Sequence, residues 1–311
     1  MGRYWAHDVP AWLTEVGVRW RGWPGHETRS RSSGGFEGDG PRGLVWHHTA
    51  GSGSWSTDYV ARYCAERATV DGRRVTPVGN AVGGRDGEIV IIAAGAANTQ
   101  GKGGPVTTSA GLVPLDDGNR RLYAVEFHNN GIGQEWPQEQ IEAGVRAFAV
   151  MARKWRMDPM TDVLLHHTWC LPSCPGRKID AAGPTPSHPQ LGGLAGARTW
   201  NVVELRKVVA AEIARQEAPV TPVARTLSLG MSGPDVYALI DLLMRSRAYP
   251  AQWAGDRNDG VFGPHTYAGV ANVQTFLRLP VTGVWGEPEA TSWLAWLQLV
   301  EALGAPQPEA A

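Results

Sequence analysis

The sequence is poor in several features that mark particular functional classes. It has only three cysteines, Cys64, Cys170 and Cys174, among 311 residues. That number cannot complete a disulfide framework, and a chain kept reduced fits it best. Neither charge is in surplus: 29 Lys and Arg against 30 Asp and Glu leave a formal −1, so there is no basic stripe and no nucleic-acid partner is expected. No apolar run approaches the ~18 residues of a membrane span, which excludes membrane insertion by a helix. The amino terminus, MGRYWAHDVPAWLTEVG, lacks the basic start and continuous apolar core of a secretory signal. Patterns for other chemistries are missing too: no His-Glu-x-x-His helix, Gly-x-Ser-x-Gly elbow or Walker A loop, and no Gly-x-Gly-x-x-Gly closing a strand.

What remains is ordinary globular material, 42% hydrophobic and 19% charged, long enough for about two domains at ~150 residues each. The 14 Trp, 39 Gly and 22 Pro imply much ordered loop and a surface able to stack on flat groups such as sugar rings or peptide planes. The clearest seam is Glu217-Ala-Pro-Val-Thr-Pro-Val-Ala224, a short, semi-extended linker. Before it, Trp200 to Gln216 reads as a helix with Thr199 as its cap. Its apolar stripe is Val202, Leu205, Val209 and Ile213.

The first part alternates strands and helices. Apolar runs at 43–47, 88–92, 122–127 and 162–166 predict strands. Pro137 opens a strong helix carrying Ile141, Val145, Phe148, Ala152 and Trp155 on one face, and a weaker helix follows Ser56 with Val60 and Cys64. That alternation predicts an α/β domain whose central sheet is covered on both faces, with sites gathered where strands end. Residues 1 to 40 read as an irregular collar.

Two histidine doublets close apolar strands, His47-His48 and His166-His167, and Gly176-Arg-Lys-Ile-Asp180 follows the second. Adjacent strand residues point to opposite faces, so only one histidine of a strand doublet can face a given site. Two neutral imidazoles and one carboxylate make the three-ligand set of a catalytic zinc site, with the fourth position open. Glu126 lies inside a strand where a packing residue belongs. An unpaired buried charge is costly, so this acid fits a metal-linked or proton-transfer role. Lys178, two residues before Asp180, is placed to steady an oxyanion. Cys170, Cys174 and His167 form a rival ligand set, though two thiolates favour closed structural sites. His128 reads as a rim residue; His7, His26, His188 and His265 read as surface.

With these residues in view, the first domain resembles the zinc-dependent N-acetylmuramoyl-L-alanine amidases, a family that includes phage lysins and peptidoglycan recognition proteins. The matching segments are WHHTAGS (46–52), GRDGEIV (84–90), YAVEFHNNG (123–131), LLHHTW (164–169) and GRKIDAAG (176–183). The layout looks most like endolysins of phages infecting actinobacteria. The resemblance implies a central mixed β-sheet flanked by helices. It makes His47, His166 and Asp180 the Zn2+ ligands, Glu126 the catalytic acid/base and Lys178 the oxyanion-stabilising residue. Many members carry a catalytic tyrosine before the Arg-Asp-Gly turn; this sequence has Gly79-Asn80-Ala81 there, so other side chains must do that work.

The second domain resembles a small three-helix peptidoglycan-binding module. It does so through Leu229-Gly-Met-Ser-Gly233, Asp259-Gly-Val-Phe-Gly-Pro264, Gln274-Thr-Phe276 and Leu279-Pro-Val-Thr-Gly-Val-Trp-Gly286. Phe262 and Trp285 are expected in its core, with Trp253, Trp293 and Trp296 in core or groove. The implied organisation is a catalytic domain over 1–216 (core about 40–190), a linker over 217–225 and a binding domain over 226–311. Its implied partner is bacterial peptidoglycan, both glycan strand and stem peptide. The resemblance also implies accumulation in the host cytoplasm until a membrane lesion gives access to the wall. A non-catalytic peptidoglycan receptor and a zinc peptidase acting within the stem peptide are the alternatives.

Overall fold

A computed structural model describes residues 3–192, 199–217, 226–245, 248, 260–286 and 289. The linker beyond Glu217 lies outside the described residues, as do Trp253, Trp293 and Trp296. The chain divides into one unit of residues 1–13 and 20–216 and another of 14–19 and 217–311. The helices are α1 (Val9–Glu15), α2 (Thr57–Arg62), α3 (Gln138–Lys154), α4 (Pro159–Asp162), α5 (His166–Cys170), α6 (Val202–Glu217), α7 (Pro234–Arg245) and α8 (Pro264–Phe276). Among the described residues no helix is long and apolar enough to cross a membrane.

The first unit is built on a six-stranded mixed sheet. Its strands are β2 (Trp20–Gly22), β4 (Gly43–His48), β7 (Ala81–Gly83), β8 (Ile89–Ile91), β11 (Leu122–Phe127) and β12 (Val163–Leu165), in the order β12-β4-β11-β7-β8-β2. The first four in that order run parallel, β8 is antiparallel to β7, and β2 is parallel to β8. Three two-stranded ribbons surround the sheet: β1 (Arg3–Tyr4) with β3 (Phe36–Glu37), β5 (Thr69–Val70) with β6 (Arg73–Arg74), and β9 (Val106–Thr108) with β10 (Gly111–Val113). The four apolar runs are strands, in an α/β sheet covered on both faces. Residues 1–40 are more than a collar: β2 is an edge strand of the sheet, and β1 pairs with β3.

β4 and β11 are buried along their whole length, as central strands covered on both sides must be. On one face Trp46 stacks on Phe127 at 3.8 Å between ring centroids, with Trp136, Phe148 and Trp200 around them. α3 closes this face, and Gly144 is what lets it approach: a Cβ there would lie 2.2 Å from the Trp46 ring. On the other face Val45, Leu122 and Leu164 pack against Trp169 and Val113. Farther across that face, Val82 and Val90 pack against Val60, Ala61 and Cys64. Trp46, Trp136, Trp169 and Trp200 are wholly buried, which corrects the expectation of a stacking surface for these four. Wide rings burying ~150–250 Å² each fill the layers on either side of a sheet.

Pro137 precedes α3 as its cap residue. Ser56 caps α2, its hydroxyl accepting from the Tyr59 amide at 3.1 Å. α6 is capped differently from expectation: Asn201 Oδ1 accepts from the Val203 and Glu204 amides at 3.0 and 3.4 Å, while Thr199 pairs by its backbone with Ala182. Asn201 lies one residue before the first helical turn, the place from which a short side chain reaches those amides.

In the second unit, α7 and α8 enclose Leu227, Val236, Leu239, Ile240, Leu243, Val270 and Val273, with Phe262 and Trp285 at 0% exposure. Both aromatics are core, as expected. Gln274 organises the turn before Trp285: its Oε1 accepts from the Thr282 and Gly283 amides, and its Nε2 donates to Val284 O. Gly283, at φ +67°, supplies the left-handed residue this turn requires.

Candidate functional site

The parallel strands deliver the site. His47 on β4 is paired in register with Glu126 on β11, and Leu165 of β12 is level with Trp46. His166 therefore leaves the end of β12 beside His47, and the two rings lie 4.2 Å apart. Alternation puts His47 and Glu126 on one face and Trp46, His48 and Phe127 on the other. Asp180 arrives from the loop after α5. The Asp180 carboxylate oxygen Oδ2 lies 3.1 Å from His47 Nδ1 and 2.8 Å from His166 Nδ1. Among the described residues these three form the one group whose donor atoms, all within 4.8 Å of each other, are arranged for a metal ion. Of the rival set, Cys170 and Cys174 lie side by side, but with His167 they form no metal-holding group among the described residues.

The outer sides of the two imidazoles decide their protonation. His166 Nε2 lies 3.0 Å from the backbone carbonyl of Gln100, and His47 Nε2 lies 3.1 Å from the Oε1 of the same residue. A carbonyl oxygen only accepts, so both Nε2 atoms donate, and in the neutral rings both Nδ1 atoms present lone pairs. Two lone pairs and a carboxylate oxygen converging in a buried pocket repel unless a cation sits among them. The spacings of 2.8 and 3.1 Å are near the ~3.3 Å donor separation of a tetrahedral site with ~2.0 Å bonds. The residues present fit zinc.

Glu126 stands beside this group, its Oε1 3.8 Å from His47 Nδ1. Burial raises its carboxyl to about 7, with His47 and Lys178 pulling down and Asp180 pushing up. Such a carboxyl exchanges a proton at neutral pH, which a solvated glutamate does not. Lys178 is half-buried, and its charge acts on Glu126 and on His48. At the place of the family's tyrosine, Gly79 has φ +82°, and a Cβ there would meet Glu126 Cγ at 3.0 Å. The backbone at this point is thus shaped to the Glu126 side chain and has no room for a larger residue.

The second histidine of each doublet does other work. His48 Nδ1 accepts from the Ala182 amide at 3.2 Å, behind the Asp180 loop. His167 uses its backbone amide, which donates to the Asp180 carbonyl at 2.9 Å. His128 donates from Nε2 to the Ser52 carbonyl at 3.0 Å and is no part of the metal group. Gln100 was not singled out by sequence; a polar residue in a Gly/Lys/Asn-rich loop carries no signal of its own.

Residues 37–181 match the family described as N-acetylmuramoyl-L-alanine amidase, and residues 232–288 match the family described as "Putative peptidoglycan binding domain". A search of curated protein sequences gives no match. Among solved structures the chain is similar to an AmpD derivative at 16% identity, covering 62% of this chain and 94% of that one, with a TM-score of 0.39. Drosophila PGRP-LB is similar at 17% identity, covering 51% and 88%, with a TM-score of 0.36. A third is the N-acetylmuramyl-L-alanine amidase AmiD from E. coli, solved with anhydro-N-acetylmuramic acid-L-Ala-D-gamma-Glu-L-Lys, at 16% identity, 90% and 95% coverage and a TM-score of 0.35. The chain therefore carries an N-acetylmuramoyl-L-alanine amidase-family domain over residues 37–181 and a peptidoglycan-binding domain over 232–288.

Proposed function

We propose that this chain is a zinc-dependent phage endolysin that hydrolyses the amide between the lactyl group of N-acetylmuramic acid and L-alanine. The observation that carries the metal reading is the meeting of His47 Nδ1, His166 Nδ1 and Asp180 Oδ2, with both outer nitrogens committed as donors to Gln100. Zinc bound there supplies a Lewis acid for the scissile carbonyl and lowers the pKa of water toward 7. Glu126 takes the proton of the attacking water and returns it to the leaving amine, a task suited to a carboxyl near 7. The Lys178 ammonium steadies the oxyanion. The second domain holds the enzyme on its polymer, so that modest affinity suffices through a raised local concentration.

The endolysin role is supported by the order of the motifs and by the pairing of an amidase domain with a peptidoglycan-binding domain. A non-catalytic receptor has no need of the complete ligand set and an adjacent acid. Mass spectrometry of digested peptidoglycan tests the reading. The expected products are stem peptides beginning with free L-alanine and intact glycan. Peptides cut internally would make it a stem peptidase, and undigested wall with stoichiometric binding would make it a receptor.

A further inference from the structure

We infer that Gln100 is a positioning residue that sets the tautomer of both histidine ligands from one point on the chain. This rests on the metal reading above. Gln100 is 1% exposed. Its side-chain Oε1 takes His47, and its backbone carbonyl takes His166 and also the Trp169 indole N–H at 3.1 Å. The residue is itself fixed: its amide donates to Asn119 Oδ1 at 2.7 Å. Gly118 leaves room for it, since a Cβ there would come within 2.9 Å of Gln100 Cβ. Its Nε2 has no hydrogen-bond partner among the described residues. A buried amide left half unpaired costs about 1–3 kcal/mol, so the orientation that serves His47 is held against that cost.

Ligating histidines ordinarily have their second nitrogen fixed by an acceptor, and loss of that acceptor weakens metal binding ~10–100-fold. Here one residue supplies both acceptors, by different groups that mutation separates. Gln100→Met keeps the length of the side chain and the backbone carbonyl but removes the acceptor for His47. Gln100→Glu restores an acceptor. Zinc affinity by chelator competition is expected to fall ~10–100-fold in Gln100→Met and to return to within about threefold of wild type in Gln100→Glu. In the zinc-loaded proteins, the His47 Nε2–H proton resonance should shift upfield and exchange faster in Gln100→Met, with that of His166 unmoved. Thermal unfolding of the metal-free proteins should be alike, which separates positioning from packing. Wild type that takes up no zinc overturns the metal reading; wild type and Gln100→Met binding zinc equally tightly overturns the Gln100 assignment alone.

A separate observation, independent of any metal, concerns the two cysteines near the site loop. Cys170 Sγ on α5 and Cys174 Sγ in the following turn lie 2.7 Å apart, and the Cys174 amide donates to the Cys170 carbonyl at 2.8 Å. Cys170 is buried, Cys174 half-buried, and Arg177 Nε lies 3.4 Å from the Cys174 sulfur. A cation beside an accessible thiol favours the thiolate that attacks disulfides. The geometry points to a disulfide site here that ties the helix of His166 to the loop of Lys178 and Asp180. With a small-molecule disulfide as oxidant, the Cys174 thiolate attacks one sulfur and releases one thiolate. Cys170, losing its proton, then displaces the second, so two thiols are oxidised as one disulfide is reduced.

The test is oxidised glutathione on the native full chain, followed by thiol counting in denaturant and peptide mapping. Three thiols before and one after, with Cys170 linked to Cys174 and buried Cys64 unmodified, is the expected result. Three thiols throughout, or a glutathione adduct on Cys174 that never closes, would overturn it. Cys170→Ser is expected to leave that adduct trapped.

Discussion

The two faces of the sheet at β4 and β11 make opposite use of neighbouring residues. Trp46 and Phe127 fill a dry layer under α3, while His47 and Glu126, one position along on each strand, turn to the other face and meet His166 and Asp180. One face is closed by ring packing and gains from apolar area removed from water. The other gathers a carboxylate, two imidazoles and a raised carboxyl, an arrangement that costs folding energy until something cationic joins it. A fold this firmly packed on one side can hold an unfavourable cluster on the other. The comparison teaches where to cut: changes on the polar face should alter chemistry with the fold intact, and changes on the apolar face should do the reverse.

The largest effects are expected at the ligands. His166→Ala or Asp180→Ala should remove zinc and wall lysis together while circular dichroism stays native; retained zinc in either variant would take that residue out of the centre. Next in size is Glu126→Gln, which should keep stoichiometric zinc and lose about two to four orders of magnitude in kcat, the usual worth of a general acid/base. Near-normal turnover would assign the proton transfer to another group.

Much of this face was legible in the amino-acid sequence, for a physical reason. Strands buried on both sides are continuous apolar runs, and a histidine or glutamate at the end of such a run stands out against them, as His47, Glu126 and His166 do. Asp180 and Lys178 sit in an irregular loop, where their nearness in sequence to the second doublet suggested roles that the resemblance then assigned. β2 and β7 are too short and too glycine-rich to show periodicity, and they form because their neighbours offer edges. Gln100 was invisible for a different reason. Its partners lie 53 and 66 residues away, and nothing in Thr99-Gln100-Gly101 reports a contact made only when three segments converge. The tryptophans misled because their number says nothing of which side of a helix or strand they occupy.

A third test uses the stability of the metal-free protein. Burial raises Glu126 from its ordinary 4.5 to about 7, so the folded state prefers the protonated acid. The stability this group contributes is complete below about pH 4.5 and is lost as pH rises through about 7, a difference on the order of 3 kcal/mol. Glu126→Gln, which cannot ionise, should therefore be more stable than wild type at pH 8 after chelation, with the gap closing toward pH 5. Urea unfolding at the two pH values measures it. An equal gap at both would mean that the carboxylate is not paying for its burial.

The smallest effect belongs to the apolar face. Gly144 lies within α3, where alanine is ordinarily better by roughly 0.5–1 kcal/mol. Its Cβ, however, would stand 2.2 Å from the Trp46 ring and 2.7 Å from Phe127 Cζ. Rings stacked at 3.8 Å and ringed by Trp136, Phe148 and Trp200 have no space to give, and overpacking of this kind costs about 1–3 kcal/mol. Gly144→Ala should thus lower the urea midpoint with an unchanged slope, a net loss of about 1–2 kcal/mol. Zinc affinity and kcat should hold, because the side chain of residue 46 points away from the site that residue 47 enters. If zinc affinity falls along with the midpoint, movement of Trp46 is transmitted through β4 to His47, and the two faces are one mechanical unit.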